Sequence, residues 1–228
     1  SEDGTVDAPF LRELSGGADR ATVSAGCPEI IGTGQIRRDT GHHKPVSRIG
    51  WRTINLGIMS ITFDKLGERD YKGFCDDVKE IFSIAVVEAF GPPEDGREII
   101  PTDEVCRILQ NIMCEAYAVY ANGVKVGGVA IKADALTGHS SLELFYVYPE
   151  YHGKGLGFQI WQGIERLYPA TKVWRLVTPY FEKRNIHFYV NKCGFKIVEF
   201  FNKAHCDPNY PLTGKNSHDE YFIFEKVI

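Results

Sequence analysis

A run of closely spaced glycines is the part of this sequence best suited to bind a charged group. Gly153, Gly155 and Gly157 follow an apolar, strand-like segment (142–148) and precede a segment whose apolar residues recur at helical spacing. A turn of this kind leaves the first N–H groups of the helix unpaired, and the helix dipole adds partial positive charge there. Because glycine has no Cβ, an anion can approach the backbone closely. The spacing therefore predicts a phosphate-binding loop.

Several kinds of glycine turn can be compared with this segment. A nucleotide P-loop requires a Lys-Ser/Thr pair after its second glycine, and that pair is absent. A dinucleotide-binding turn requires Gly-x-Gly-x-x-Gly, but Phe158 stands where the third glycine belongs. A third pattern, which fits, is hydrophobic-x-Pro-x-x-(Arg/Gln)-Gly-x-Gly-x-Gly directly after a strand. The structural alternative is a tight strand-to-helix turn whose glycines bind no ligand.

The third pattern, which runs here from Val147 to Gly157, resembles the pyrophosphate loop of the GNAT superfamily of acyl-CoA-dependent N-acetyltransferases. A second hallmark of that family is the pair Gly194-Phe195 at the end of a predicted helix. His152 departs from the family, which usually has Arg or Gln there. The resemblance covers 59–228 and implies acetyl-CoA as co-substrate. It also implies a mixed α+β fold, in which a mostly antiparallel central β-sheet is flanked by about four helices.

Hydrophobic periodicity and turn residues predict the element order of such a fold. Apolar residues at helical spacing indicate a helix over 70–90, which Gly91-Pro92-Pro93 ends because proline cannot continue it. Asn122-Gly123 between two strand-like runs indicates a hairpin. The predicted order is strand, two helices, three strands, helix, strand, helix and two strands. These elements lie at 60–66, 70–90, 101–113, 116–120, 125–131, 142–148, 158–167, 173–177, 182–193, 195–200 and 220–227.

Residues 1–58 differ in composition from the rest of the chain. They are rich in Gly, Ser, Thr and Arg and lack a sustained hydrophobic period. We interpret them as an extension, a tail or a leader outside the core fold, and we predict that the GNAT-type N-acetyltransferase domain spans 59–228. His42-His43 could suggest a metal site, but no third ligand accompanies the pair, so no metal is expected.

The resemblance also implies which residues bind acetyl-CoA. In the family, the cofactor lies where the strand before the glycine loop separates from the strand after the central helix, and a bulge in the first strand frees backbone groups for the pantetheine. His152 would add little charge because it is mostly neutral at pH 7, or it is an exposed turn residue. Asn185 would bond CoA or cap its helix. The implied cofactor-binding residues are Phe145, Tyr146, Val147, His152, Gly153, Lys154, Gly155, Leu156, Gly157, Phe158 and Asn185.

Tyr189 is the candidate for protonating the departing CoA thiolate, because a positioned phenol can act as a general acid. In the family, a tyrosine often stands four residues before the Gly-Phe pair. Here that position is Val190, and Tyr189 lies one residue earlier. A shift of one residue turns a helical side chain by about 100°. The alternative is therefore that Tyr189 packs in the core against Phe195.

Glu143 is the candidate general base, because the family often places a base or a water-ordering group four residues before Val147. In a strand, Glu143 alternates with Leu142 and Leu144, so we expect it to face away from both leucines. The same alternation would put it on the side of Phe145, facing the cleft. The alternative is a solvated strand carboxylate.

Composition limits the remaining function classes. The chain has 228 residues, a net charge of −4 and six cysteines without a Cys-x-x-Cys pair. We predict reduced thiols, a cytoplasmic location, no membrane span and no nucleic-acid partner. The expected activity is acetyl transfer from acetyl-CoA to a primary amine, on a small molecule or a peptide, by direct attack in a ternary complex. A non-catalytic acyl-CoA-binding or sensor protein is the alternative, and a homodimer is left open.

Overall fold

The computed structural model describes residues 52–55, 60–93, 102–208 and 220–228, with only the main chain described at 52–55 and 102–104. Within these ranges the chain forms one eight-stranded sheet. The strands are β1 (Arg52–Asn55), β2 (Ser60–Lys65), β3 (Cys114–Ala121), β4 (Val124–Asp134), β5 (His139–Val147), β6 (Val173–Pro179), β7 (Lys196–Phe201) and β8 (Tyr221–Val227).

Four α-helices accompany the sheet in the described ranges. They are α1 (Tyr71–Phe90), α2 (Thr102–Gln110), α3 (Leu156–Leu167) and α4 (Lys183–Phe188). The last of these continues directly into a π-helical turn, Tyr189–Cys193, which Gly194 ends in the left-handed conformation (φ 81°). The order of elements after residue 59 is the one that the sequence predicts.

The strands lie in the order β1-β2-β3-β4-β5-β6-β8-β7. All neighbouring pairs are antiparallel except β5 and β6, which are parallel because α3 crosses between them. Asn122 and Gly123 both have positive φ, 50° and 83°, and form the predicted tight turn between β3 and β4. The mixed, mostly antiparallel α+β architecture is confirmed.

Helices cover both faces of the sheet and each face has its own apolar core. On one face, side chains of α3 and of the π-helical turn pack on the sheet around Trp161 and Phe195. On the other, α1 and α2 pack on it around Phe74 and Ile108. No helix in the described ranges is both long enough and apolar enough to span a lipid bilayer.

The edge strand β1 lies inside the segment 1–58 that we placed outside the core fold. Its four residues pair with β2, for example Arg52 opposite Phe63. The sheet therefore begins before residue 59. The rest of the segment, including His42-His43, lies outside the described residues, and the independence of 59–228 stays a prediction.

Candidate active site

The sheet opens between its two parallel central strands. β5 and β6 pair only over His139–Ser141 and Val173–Arg175, although both strands continue further. Beyond these residues, main-chain groups on the facing edges have no strand partner, as the resemblance implied. A cavity lies in this opening and extends to the start of α4. Its walls include Phe82, Glu143, Phe145, Phe181, Asn185 and Tyr189.

β5 carries one extra residue at Glu143. In the β4–β5 pair, Ala130 lies opposite Leu144, whereas the next residue, Ile131, lies opposite Leu142. Glu143 therefore has no partner on β4 and forms a β-bulge. The bulge lies where β5 begins to separate from β6, so it turns this carboxylate toward the opening.

The bulge changes which residues of β5 share a face, and the side assignment from strict alternation is wrong. Leu142 packs in the core beside α3, while Leu144 packs beneath α1 and α2, so Glu143 cannot face away from both. Glu143 instead shares the face of Ser141, whose hydroxyl donates a hydrogen bond to it. Phe145 packs on the opposite face, beside α3. Both Glu143 and Phe145 still line the cavity, because the opening between the strands joins the two faces.

Glu143 is a buried acid rather than a solvated one. Its side chain is 7% exposed, and its Oε2 atom has no hydrogen-bond partner among the described residues. Burial raises the pKa of Glu143 to about 7, although the hydrogen bond from Ser141 and the charge of Lys132 both lower it. Near neutral pH the group is therefore present in both protonation states. That is the property a general base needs.

The π-helical turn decides where Tyr189 points. The Gly194 N–H donates to the Tyr189 carbonyl, five positions back, where an α-helix would connect residues four apart. The turn therefore accommodates the one additional residue between Tyr189 and Gly194. As a result Tyr189, and not Val190, lines the cavity.

Tyr189 is surrounded by aromatic rings but keeps contact with the cavity. Its side chain is 8% exposed and its ring centroid lies 5.7 Å from that of Phe195 and 6.0 Å from that of Phe224. Burial raises the pKa of Tyr189, and the nearby Cys193 and Glu182 add to the rise. The phenol therefore stays protonated at neutral pH and is available as a donor. Packing against Phe195 and lining the cavity are thus compatible.

The glycine loop has the geometry of a strand-to-helix turn with an open outer side. Gly153 and Gly155 have positive φ, 75° and 72°, and a Cβ at either position would meet no atom within 4 Å. Gly155 is the N-cap of α3, so the N–H groups of Leu156, Gly157 and Phe158 have no acceptor within the helix. This arrangement can receive an anion at the positive end of the helix dipole.

His152 and Lys154 stabilise the loop with their side chains. The His152 Nε2 atom lies 2.6 Å from the Val147 carbonyl oxygen, and burial lowers the pKa of His152. The ring is therefore neutral and hydrogen bonded to the main chain of β5, in place of the charge that Arg would bring. The Lys154 ammonium donates to the Glu150 carbonyl at 3.1 Å and lies over the Tyr151 ring.

Three side chains of the α4 region reach the cavity from one side. Glu182, Asn185 and Tyr189 all line it, and Glu182 rather than Asn185 is the N-cap of α4. The capping alternative for Asn185 is therefore wrong, because Asn185 is the third residue of the helix. Burial raises the pKa of Glu182, while Arg184 opposes this rise and Glu88 adds to it.

Sequence reasoning did not identify Ser141 or Glu182 as site residues. Both had a local signal: Ser141 lies two residues before Glu143 in a strand, and Glu182 lies three residues before Asn185, close to one helical turn. The aromatic residues Phe82 and Phe181 had no such signal, because they reach the cavity from separate elements. Among the described side chains, no group of His, Cys, Asp or Glu is arranged to hold a metal ion.

Comparison with known proteins relates these features to a family. The model of the family described as "Acetyltransferase (GNAT) family" matches residues 75–195. The uncharacterized protein YrkN of Bacillus subtilis (strain 168) is 44% identical over 168 residues, which are 71% of this chain and 90% of that protein.

Solved structures share the fold at low sequence identity. The ribosomal L7/L12 alpha-N-protein acetyltransferase RimL in complex with coenzyme A superposes with a TM-score of 0.52 at 9% identity, covering 78% of this chain and 98% of that one. The PaiA N-acetyltransferase of Thermoplasma acidophilum, also with coenzyme A, gives 0.51 at 19% identity, covering 74% and 99%. With more than half of its length matched by the family model, the chain belongs to the acetyltransferase (GNAT) family.

Proposed function

We propose that the protein transfers the acetyl group of acetyl-CoA to a primary amine by direct attack in a ternary complex. The observation that carries this proposal is that two buried groups, the Glu143 carboxylate and the Tyr189 phenol, line one cavity. One oxygen of this carboxylate has no hydrogen-bond partner among the described residues. That cavity lies where β5 and β6 separate. A proton acceptor and a proton donor at one opening fit the two proton transfers that the reaction needs.

Acetyl-CoA fits the groups around this opening. Pyrophosphate oxygens would bind the free N–H groups at the start of α3, where Gly153 and Gly155 leave room for them. The pantetheine would run along the edge of β5 and pair with main-chain groups of Phe145, whereas the Tyr146 carbonyl points toward Gly127 of β4. The Val147 carbonyl is engaged by His152, so it serves the loop instead. Asn185, which lines the cavity, would bond the pantetheine amide.

The residues then divide the chemistry. The acceptor amine, after its ammonium form has lost one proton to solvent, attacks the thioester carbonyl carbon with its lone pair. Glu143 accepts, directly or through water, the second proton that this nitrogen loses as it becomes an amide. The new carbon–nitrogen bond forms as the carbon–sulfur bond breaks. Tyr189 gives its hydroxyl proton to the departing thiolate, and the proton held by Glu143 returns to the phenolate through solvent. The products are the acetylated amine and CoA with a free thiol.

The test is the release of CoA thiol from acetyl-CoA in the presence of a panel of primary amines, with the acetylated product identified by mass spectrometry. We expect amine-dependent thiol release and a product heavier by one acetyl group. Intersecting double-reciprocal plots would indicate a ternary complex, whereas parallel plots would indicate an acetylated enzyme intermediate and contradict direct attack. Tight acetyl-CoA binding without any amine-dependent release would favour the non-catalytic acyl-CoA-binding alternative.

A further inference from the structure

We propose that the acceptor is a diamine, whose second ammonium group binds Glu182 while Glu143 receives the proton of the reacting amine. This inference rests on the proposed function and names the substrate class of the same cavity. The two carboxylates reach the cavity from different elements, Glu143 from the bulge of β5 and Glu182 from the N-cap of α4. A ligand with one positive charge would satisfy only one of them.

The charge of the cavity is the first argument. Glu143 and Glu182 line it, and no Lys or Arg is among the described residues of its wall. Among the described residues, the buried Oε2 atom of Glu143 has no hydrogen-bond partner, and the half-buried Glu182 carboxylate has no hydrogen bond or ion pair. A buried carboxylate without a partner costs free energy, which a bound cation offsets. Two charges outside the wall act on Glu182: the exposed Arg184 guanidinium lowers its pKa and the Glu88 carboxylate raises it, so their effects oppose each other and the acids of the wall itself set its charge.

The apolar part of the wall is the second argument. Phe82, Val86, Phe145 and Phe181 line the same cavity as the two acids. Such side chains suit the methylene groups between two amines, and aromatic rings also attract ammonium groups. A carboxylated acceptor, such as a free amino acid, would instead place its negative charge against Glu143 or Glu182.

The levels of the two acids along β6 give a first choice of ligand length. The pairing of Ser141 with Arg175 puts Glu143 close to the level of Val177, two residues before the end of β6. The Glu182 N–H donates to the Pro179 carbonyl at 3.1 Å, which holds Glu182 near that end. Two residues of strand correspond to a rise of roughly 7 Å along β6, so diamines with about three to five methylene groups are the first to test.

The experiment compares matched pairs of acceptors with the full chain. Thiol release is measured with n-butylamine against 1,4-diaminobutane and with n-pentylamine against 1,5-diaminopentane. We expect kcat/KM to be higher for each diamine by about 10-fold or more, since a charged contact in a desolvated site discriminates to that extent. In Glu182→Gln the ratio of diamine to monoamine should fall to the statistical advantage of two equivalent amino groups over one. Glu80→Gln, an exposed carboxylate of α1, is the matched control and should keep the parent ratio.

A binding measurement separates this inference from the proposed function. Calorimetric titration of 1,4-diaminobutane into the CoA complex does not require turnover, and we expect Glu182→Gln to weaken this binding by about 10-fold or more. A kcat/KM for the diamine that exceeds that of the monoamine only by the statistical factor of its two amino groups, with thiol release intact, would overturn the diamine inference alone. Diamine binding that depends on Glu182 without any thiol release would overturn the transfer reaction alone. Diamine binding that is the same in the parent and in folded Glu182→Gln would also overturn the inference.

Discussion

The main-chain N–H of Phe195 donates a hydrogen bond of 3.0 Å to the carbonyl oxygen of Tyr189, six positions earlier in the chain. The Gly194 N–H donates to the same oxygen. In an α-helix this carbonyl would accept from the residue four positions on. Tyr189 lies one residue further from the Gly-Phe pair than the tyrosine typical of the family. The π-helical turn accommodates this additional residue, so Tyr189 still reaches the cavity.

Deletion of Asn191 should convert this turn into regular α-helix without loss of the fold. Asn191 is exposed, and among the described residues its side chain hydrogen bonds only to the nearby His187 ring, at 3.0 Å. We expect the free energy of unfolding to change by less than about 1 kcal/mol in urea titrations. As a control, deletion of Gln162 from α3 should cost at least about 3 kcal/mol, since it rotates the buried Ile164 out of the core. Equal losses in the two deletions would contradict a single-residue insertion.

Tyr189→Phe should lower kcat while leaving acetyl-CoA affinity within about 2-fold of the parent. The phenol acts on the departing thiolate, and general acid catalysis contributes about 10²- to 10⁴-fold. The measurement is steady-state kinetics together with calorimetric binding. Tyr180→Phe is the matched control, because the ring of Tyr180 is exposed and lies outside the cavity wall. An unchanged kcat in Tyr189→Phe would mean that water or another group protonates the thiolate.

The pH dependence of the rate should report Glu143. Burial raises the pKa of Glu143 to about 7, so the base is mostly protonated at pH 6 and mostly ionised at pH 8. The rate should therefore rise with pH through about 7, and Glu143→Gln should lose this limb. Ser141→Ala removes a hydrogen bond that lowers the pKa of Glu143, so its midpoint should move to higher pH. A limb that survives in Glu143→Gln would belong to another group, such as the acceptor amine.

The same carboxylate should affect stability in a way that does not depend on activity. The pKa of Glu143 is about 7 in the fold against 4.5 in the unfolded chain, so the folded state holds this proton more tightly. Its contribution to stability is therefore fully present below about pH 4.5 and is lost as pH rises through 7. When the pH is raised from 5 to 9, the free energy of unfolding of Glu143→Gln should increase by about 2–3 kcal/mol relative to that of the parent. Urea unfolding at both pH values measures this, and parallel pH dependence in the two proteins would contradict it.

Gly155→Val should abolish measurable acetyl-CoA binding in calorimetry. Gly155 has φ 72° and an open outer side, so a branched side chain would occupy the space that the pyrophosphate needs. The strain of the positive φ also lowers stability, by about 1–2 kcal/mol. Gly123→Val in the β3–β4 turn is the matched control, since it has φ 83° and equally open surroundings. If both variants bind acetyl-CoA like the parent, the loop is a turn that binds no ligand.

Local sequence determined the element order and the turns of this protein. Asn122-Gly123 and Gly194 predicted a hairpin and a helix end correctly, because a positive φ is a property of one or two residues. The glycines before α3 likewise predicted an open turn at a helix start. Helical and strand periods depend on neighbours within a few residues, so they are visible in the chain itself.

Only the tertiary structure decided where the candidate catalytic side chains point. The alternation of β5 side chains between the two faces of the sheet shifts by one residue at Glu143, because the pairing with β4 skips this residue. Such pairing joins segments that are distant in sequence, so it is not visible in the local pattern. Tyr189 reaches the cavity because the aromatic core fixes both ends of a turn with one extra residue. Glu182 joins Glu143 through the separation of β5 and β6, which no local pattern encodes. A shift of one residue reverses a strand side chain and turns a helical one by about 100°, so these orientations depend on long-range packing.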